Sequence, residues 1–225
     1  MTVLQDLVWI REARNDSIKG KHMTCKLSQE TIEKTISFHG HSCPGLSIGI
    51  RASELAQREL GDLPDTRMVC IVETDMCGVD AVQYLTGCTF GKGNLIHKDY
   101  GKMAFTFFDR ETRQGFRCLL KPGARGDMAE EMSSLHRKIA SGMASETEQT
   151  RSKNLRQQMI DQIMSANLDE LFDYMEPSEA MPRGARVLES VVCVACGEET
   201  MESRNRSFAG KTLCKPSFDK VEQKT

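Results

Sequence analysis

The chain has 225 residues, enough for one sizeable domain and a small appendage, and its apolar (39%) and charged (28%) fractions are those of an ordinary soluble globular protein. A formal net charge of −2 gives no general attraction to nucleic acid or membrane surfaces, and no apolar run reaches membrane-spanning length. Nine cysteines, dispersed except for one C-x-x-C, suit reduced thiols and metal binding better than a disulfide framework.

The amino-terminal patch Leu7-Val8-Trp9-Ile10 is closed off at once by Arg11 and Glu12, which is not the pattern of a signal peptide, so a cytoplasmic protein is expected. Met1 to Lys26 reads as a lead-in, with a short helix through Val8 and a loop from Asn15 to Lys21; Trp9 reads as core or interface. The first well-marked helix starts after Ser28, a capping residue, with Leu27 and Ile32 at the two positions of a hydrophobic staple, and ends near Phe38.

The next eight residues, Phe38-His39-Gly40-His41-Ser42-Cys43-Pro44-Gly45, place two imidazoles and a thiol at a helix junction. Pro44 suits the first position of a second helix, which leaves Cys43 as its capping residue at the positive end of the helix dipole, where a thiolate is favoured. Gly40 allows a sharp path between His39 and His41. The second helix runs from Pro44 to Leu60, closed by Gly61, and its small residues Gly45, Ser47, Gly49, Ala52 and Ser53 predict close packing against a neighbouring element or a second copy.

Met68 to Glu73 is a strand-length apolar run. Asp75 is then expected to cap a helix from Met76 to Leu85, with Gly87 as its stop, which puts Cys77 in the first turn and Asp80 one turn on, on the same side. Cys88 follows, readable either as a site residue or as core, whereas Cys70 and Cys118 read as strand core. Gly91-Lys92-Gly93-Asn94 is either an ordinary turn or a loop that presents Lys92 to an anionic ligand.

Leu95 to Lys98, Lys102 to Phe108 and Gly115 to Leu120 read as strands, giving an α+β fold of helices packed on a mostly antiparallel sheet. Asp127 to Ala166 reads as two helices broken near Gly142 or Ser145, with Leu155, Met159 and Ile163 on one face; its polar excess suggests an exposed or dimer-spanning pair. Leu168 to Tyr174 is expected to continue amphipathically. Pro177, Pro182 and Gly184 mark a linker, so the expected organisation is a core over 1–176, a linker over 177–190 and a module over 191–225.

In that module Cys193-Val194-Ala195-Cys196-Gly197 is a zinc-knuckle sequence, and Cys214 follows after hairpin length, as in a small zinc-ribbon or treble-clef-like domain. Arg204, Arg206, Lys211, Lys215 and Lys220 admit nucleic-acid contact, but low aromatic content favours protein docking or self-association.

FHGHSCPGLSIGIRA and ETDMCGVDAVQYLTGCTFGKGNL together resemble the FmdE family, named for the E component of formylmethanofuran dehydrogenase. The resemblance covers most of the chain. It implies an FmdE-type core with a separate zinc finger, assembled as a homodimer, with zinc in the finger and zinc or another transition metal in the core. His39, His41, Cys43 and Cys77 then surround the core site, with Asp80 and Cys88 as adjoining ligand-supporting or substrate groups. The family finger carries a second C-x-x-C, whereas this chain has Ser217, so the fourth ligand is left to water, Asp219 or another chain.

Two functions follow from this reading. In one, the core acts on or binds a small molecule of one-carbon or redox metabolism, with Cys43 as nucleophile or ligand and His41 and Asp80 handling protons, and the protein serves a redox complex whose hard chemistry lies in partner proteins. In the other, it is a metal-sensing or metal-carrying adaptor that docks to a protein or nucleic acid through its finger.

Overall fold

The computed structural model describes residues 24–64 and 66–221, so the expected amino-terminal helix, the following loop and Trp9 lie outside the described residues. The chain divides into two units, Met1–Arg183 and Gly184–Thr225. Among the described residues no helix is long and apolar enough to cross a membrane.

Helix α1 (Gln29–His39) begins at Ser28, whose hydroxyl accepts the Thr31 N–H at 3.1 Å, and Leu27 packs into the cluster that buries Ile32. It ends at Gly40, whose φ of 95° lies in the left-handed region that glycine tolerates, with the Gly40 N–H returned to the Ile36 carbonyl at 2.8 Å. Helix α2 (Pro44–Leu60) has Pro44 at its first position and Cys43 as its cap, the thiol accepting the Leu46 N–H at 3.4 Å.

The slim face of α2 is taken up by helix α3 (Gly78–Thr86) of the same chain, not by a second copy. A Cβ at Gly49 would collide with the Gly78 carbonyl oxygen, and one at Gly45 would stand 3.3 Å from Cys77 Cβ. Helix α3 starts two residues later than expected, with Cys77 immediately before it. Asp75 does not cap it; Thr74 Oγ1 accepts the Met76 N–H at 3.2 Å instead.

Five strands form one sheet in the order β2-β1-β3-β4-β5: β1 (Met68–Val72), β2 (Leu95–His97), β3 (Ala104–Asp109), β4 (Gly115–Leu120) and β5 (Phe172–Met175). Only β1 and β2 pair in parallel. Alternation along β3 sends Phe105 and Phe107 into the main core with Ile48, Leu55 and Phe116, while Phe108 joins Val69 and Ile71 on the other face. At the β3 end, Arg67 forks onto both carboxylate oxygens of Asp109 at 2.5 and 2.6 Å, and the same carboxylate accepts the Glu111 N–H and the Thr112 hydroxyl.

Helices α4 (Met128–Ala140) and α5 (Glu146–Ser165) are separated near Gly142, and Ser145 with Glu148 forms a capping box at the start of α5. Leu155, Met159 and Ile163 are buried as their spacing requires. The pair is less detached than its polarity suggests, because Ile160 and Met164 join Cys43, Leu46 and Ile50 in one cluster and Ile163 reaches the main core.

The segment from Leu168 departs most from expectation. Helix α6 (Leu168–Leu171) lasts a single turn, and the chain then becomes edge strand β5, with Phe172 opposite Leu120. The open edge of β4 offers ladder hydrogen bonds and burial for Phe172, which outweigh continuation of a short helix.

In the second unit β6 (Ser190–Val192) pairs with β7 (Glu199–Met201), β8 (Asn205–Phe208) pairs with β9 (Lys211–Cys214), and the short helix α7 (Lys215–Phe218) follows.

Candidate metal centres

The first centre is assembled from two places in the chain, the junction between α1 and α2 and the start of α3. His39 is the last residue of α1, His41 and Cys43 follow on the connection to α2, and Cys77 immediately precedes α3 without a side-chain capping bond. One donor atom from each of the four lies within 4.8 Å of the other three. Cys43 Sγ is 3.9 Å from His39 Nε2, and the two imidazole rings are 4.4 Å apart between centroids. Metal–sulfur bonds of about 2.3 Å and metal–nitrogen bonds of about 2.0–2.1 Å give tetrahedral donor–donor edges of roughly 3.3–3.8 Å, so small side-chain movements would close this set around an ion.

Asp80 bonds to the other ring nitrogen of His39, with Oδ2 2.7 Å from Nδ1. An Nδ1–H donated to this carboxylate leaves Nε2 as the lone-pair nitrogen facing Cys43, the arrangement that orients and strengthens a histidine ligand. Gln83 Nε2 donates weakly to Asp80 Oδ1 at 3.4 Å.

Burial distinguishes the donors: Cys43 is buried, His39 and Cys77 are half-buried, and His41 is exposed. The Cys43 thiol is pushed up from its ordinary range, first by burial and then by neighbouring Cys77, against the Leu46 and Gly45 N–H groups that favour the thiolate. Capping position alone therefore does not activate it. His41 is held down by desolvation, by His39 and by the positive charge of Arg156 on α5. Arg156 carries no local sequence signal, since only the packing of α5 brings its charge to this site.

Two expected site residues lie elsewhere. Cys88 is fully buried in the main core, its thiol directed at the Met68 carbonyl at 3.5 Å, so it is not a member of the donor group. Lys92 sends its ammonium to the Gly87 carbonyl at 2.9 Å, fastening the carboxyl end of α3; the glycine loop serves there as a turn.

The second centre lies within Gly184–Thr225. Cys193, Cys196 and Cys214 have sulfurs within 4.8 Å of one another, with 3.8 Å between those of Cys196 and Cys214. Gly197, at φ 77°, makes the tight return of the knuckle, and its N–H reaches the Cys193 carbonyl at 2.9 Å. Ser217 Oγ is 3.2 Å from Cys214 Sγ. Ser217 is also the main group that lowers the Cys193 thiol to about 5, helped by backbone N–H groups.

The sequence model of the FmdE family, described as "FmdE, Molybdenum formylmethanofuran dehydrogenase operon", matches residues 38–173, which include the whole first centre. A "Probable S-adenosyl-L-methionine-binding protein" of Archaeoglobus fulgidus is 31% identical over 178 residues; the match covers 74% of this chain and 48% of that protein, so the chain spans about half the length of the curated relative. A crystal structure of a tungsten formylmethanofuran dehydrogenase FmdE-like protein from Syntrophus aciditrophicus is similar with a TM-score of 0.57 and 23% identity, covering 92% of this chain and all of that one. At that identity the likeness concerns the fold.

Proposed function

Since the chain belongs to the FmdE family, we propose that it is a metal-binding protein of that family whose core centre holds a transition metal, zinc foremost, and engages a small molecule of one-carbon or redox metabolism. The reading is carried by the convergence within 4.8 Å of His39, His41 and Cys43, from the five-residue junction between α1 and α2, with Cys77, from the start of α3. Two imidazoles and two thiols form a donor set suited to zinc and other borderline-soft ions, and the Asp80 bond to His39 is the support such a ligand uses. A bound ion would supply Lewis acidity.

The chain's own residues divide the remaining work. Buried Cys43 and half-buried Cys77 anchor the inner side of the site and keep water from it, while Asp80 fixes the His39 ring. Exposed His41 is the donor best placed to leave and to carry a proton at its free ring nitrogen. The charge of Arg156 beside it favours an anionic or carboxylate-bearing ligand. The Archaeoglobus relative's name supplies one such ligand to try, S-adenosyl-L-methionine, which carries an amino-acid carboxylate. Partner proteins from a formylmethanofuran dehydrogenase operon are a further part of this reading, after the family's description.

Elemental analysis of the purified 225-residue chain tests the core centre. The unsubstituted protein is expected to carry metal at both centres, and Cys43→Ala or Cys77→Ala to lose one equivalent with unchanged circular dichroism. Calorimetric titration with S-adenosyl-L-methionine should give binding that Cys43→Ala weakens. Unchanged metal content in both cysteine variants would overturn the proposal.

A further inference from the structure

The second unit presents three thiols and one hydroxyl at a single point. Ser217 Oγ contacts Cys214 Sγ at 3.2 Å, which places the hydroxyl beside a group of three sulfurs that lie within 4.8 Å of one another. Among the described residues no carboxylate joins the three thiols. Glu198 approaches only Cys196, at 3.7 Å, and neither it nor Asp219 belongs to the group whose donors lie within 4.8 Å. Cys196 is exposed and Ser217 half-buried, so this side of the group faces solvent.

A neutral hydroxyl is a much poorer ligand for a soft or borderline metal than a thiolate, and three protein ligands with a weakly held fourth are the composition of an exchangeable centre, not a closed one. We infer that a metal held by Cys193, Cys196 and Cys214 keeps an exchangeable position behind Ser217, and that this position takes a thiolate from outside the unit. The inference rests on the reading of this unit as a metal centre. An incoming thiol would bind such a metal through sulfur and give its proton to solvent, and Ser217 would keep its hydroxyl proton. No electrons are transferred. The thiolate can belong to a small thiol or to a cysteine of a second copy of this chain.

The test uses the 225-residue chain with Cys43→Ala and Cys77→Ala, loaded with cobalt so that only the second centre absorbs. Titration with 2-mercaptoethanol should strengthen and shift the sulfur-to-cobalt bands. Addition of Ser217→Cys should produce the four-thiolate spectrum at the outset and abolish the response. Zinc should pass to a chromogenic chelator at least tenfold faster from the Ser217 protein than from Ser217→Cys. If the core substitutions disturb folding, the difference spectrum between unsubstituted protein and Ser217→Cys gives the same readout.

Sedimentation separates the two sources. Metal-dependent association reversed by 2-mercaptoethanol places the thiolate on a second copy, and a monomer that still responds to the thiol assigns the position to a small molecule. Cobalt bound in a Cys196-dependent manner, with bands indifferent to thiol and identical in Ser217→Cys, overturns the inference alone. Absence of cobalt binding in the core-disabled chain overturns the reading of the unit as a metal centre, and the inference with it.

Discussion

Asp80 contributes no donor atom to the core centre, yet it controls one. Its 2.7 Å bond to His39 Nδ1 selects the tautomer that presents Nε2 to Cys43. Asp80→Asn should therefore weaken metal affinity about 10- to 100-fold without removing a ligand, as loss of such support does elsewhere. Competition with a chelator of known affinity measures this, and an unchanged constant would make Asp80 a surface group. Asp109 offers a second test at this scale. Its carboxyl is held well below the usual carboxylate range by the Arg67 guanidinium and by the Glu111 N–H and Thr112 hydroxyl. Because the folded value is the lower one, this stabilisation is fully present above the unfolded value of about 3.9 and is lost as pH falls through the folded value. Denaturant titrations from pH 7 to pH 2 should show Asp109→Asn less stable than the parent at neutrality, with the gap closing below about pH 4. A gap independent of pH would mean that the carboxylate charge contributes nothing. Among the site residues, His39, His41 and Cys43 were legible because they share five consecutive positions, and Cys77 because it stands at a helix start. Cys88 and Lys92 were not separable from them in sequence: Cys88 follows the same helix as Cys77, and only the tertiary path sends it under the sheet.

At the scale of elements, the core centre depends on how closely α2 approaches α3. Gly45, Gly49 and Gly78 let the two backbones meet, and that contact holds the Cys43 cap beside Cys77. Gly49→Ala would force a methyl against the Gly78 carbonyl and push the helices apart. The expected cost is about 3 kcal/mol, the upper end for overpacking, together with weaker metal binding, although Gly49 touches no donor. Thermal denaturation of the metal-free protein and metal titration measure the two effects separately, and normal affinity in a destabilised protein would uncouple helix spacing from the site. Capping residues and glycines made α1, α2 and the break before α5 readable from local chemistry. Strand β5 was not readable, because Leu168 to Tyr174 carries apolar residues at spacings that fit a helix, and what extends Phe172 is the β4 edge, distant in sequence. The start of α3 differs from its expected position for a related reason: Asp75 has the chemistry of a cap, but the close packing of Gly78 on α2 fixes where the helix begins.

At the scale of the whole molecule the two units differ in what can hold them folded. The first has a five-stranded sheet with phenylalanines packed beneath α2, and its sheet and helices bury a large apolar core independent of the four donors. The second buries Cys193, Leu213 and Cys214, supported by half-buried Phe218 and Val221, while Val192, Val194, Met201 and Phe208 are exposed. A unit of this size falls where a hydrophobic core alone seldom suffices and a metal or disulfide usually supplies the balance; its three cysteines are free thiols. Among its described residues two of the three buried ones are themselves candidate ligands, so metal release would remove the cross-link and leave little apolar packing behind. Hydrogen exchange in the presence of a strong chelator should therefore show loss of protection at the Cys193 and Val194 amides, which bond to the Glu198 and Thr212 carbonyls at 2.9 and 3.1 Å, while amides of β1, β3 and β4 keep theirs. Restoring zinc should restore the first set, because binding energy at such a centre is folding energy. If the Cys193 and Val194 amides stay protected in chelator, the hairpins are held by packing alone, and the cysteines belong to a thiol site rather than to a metal-dependent fold.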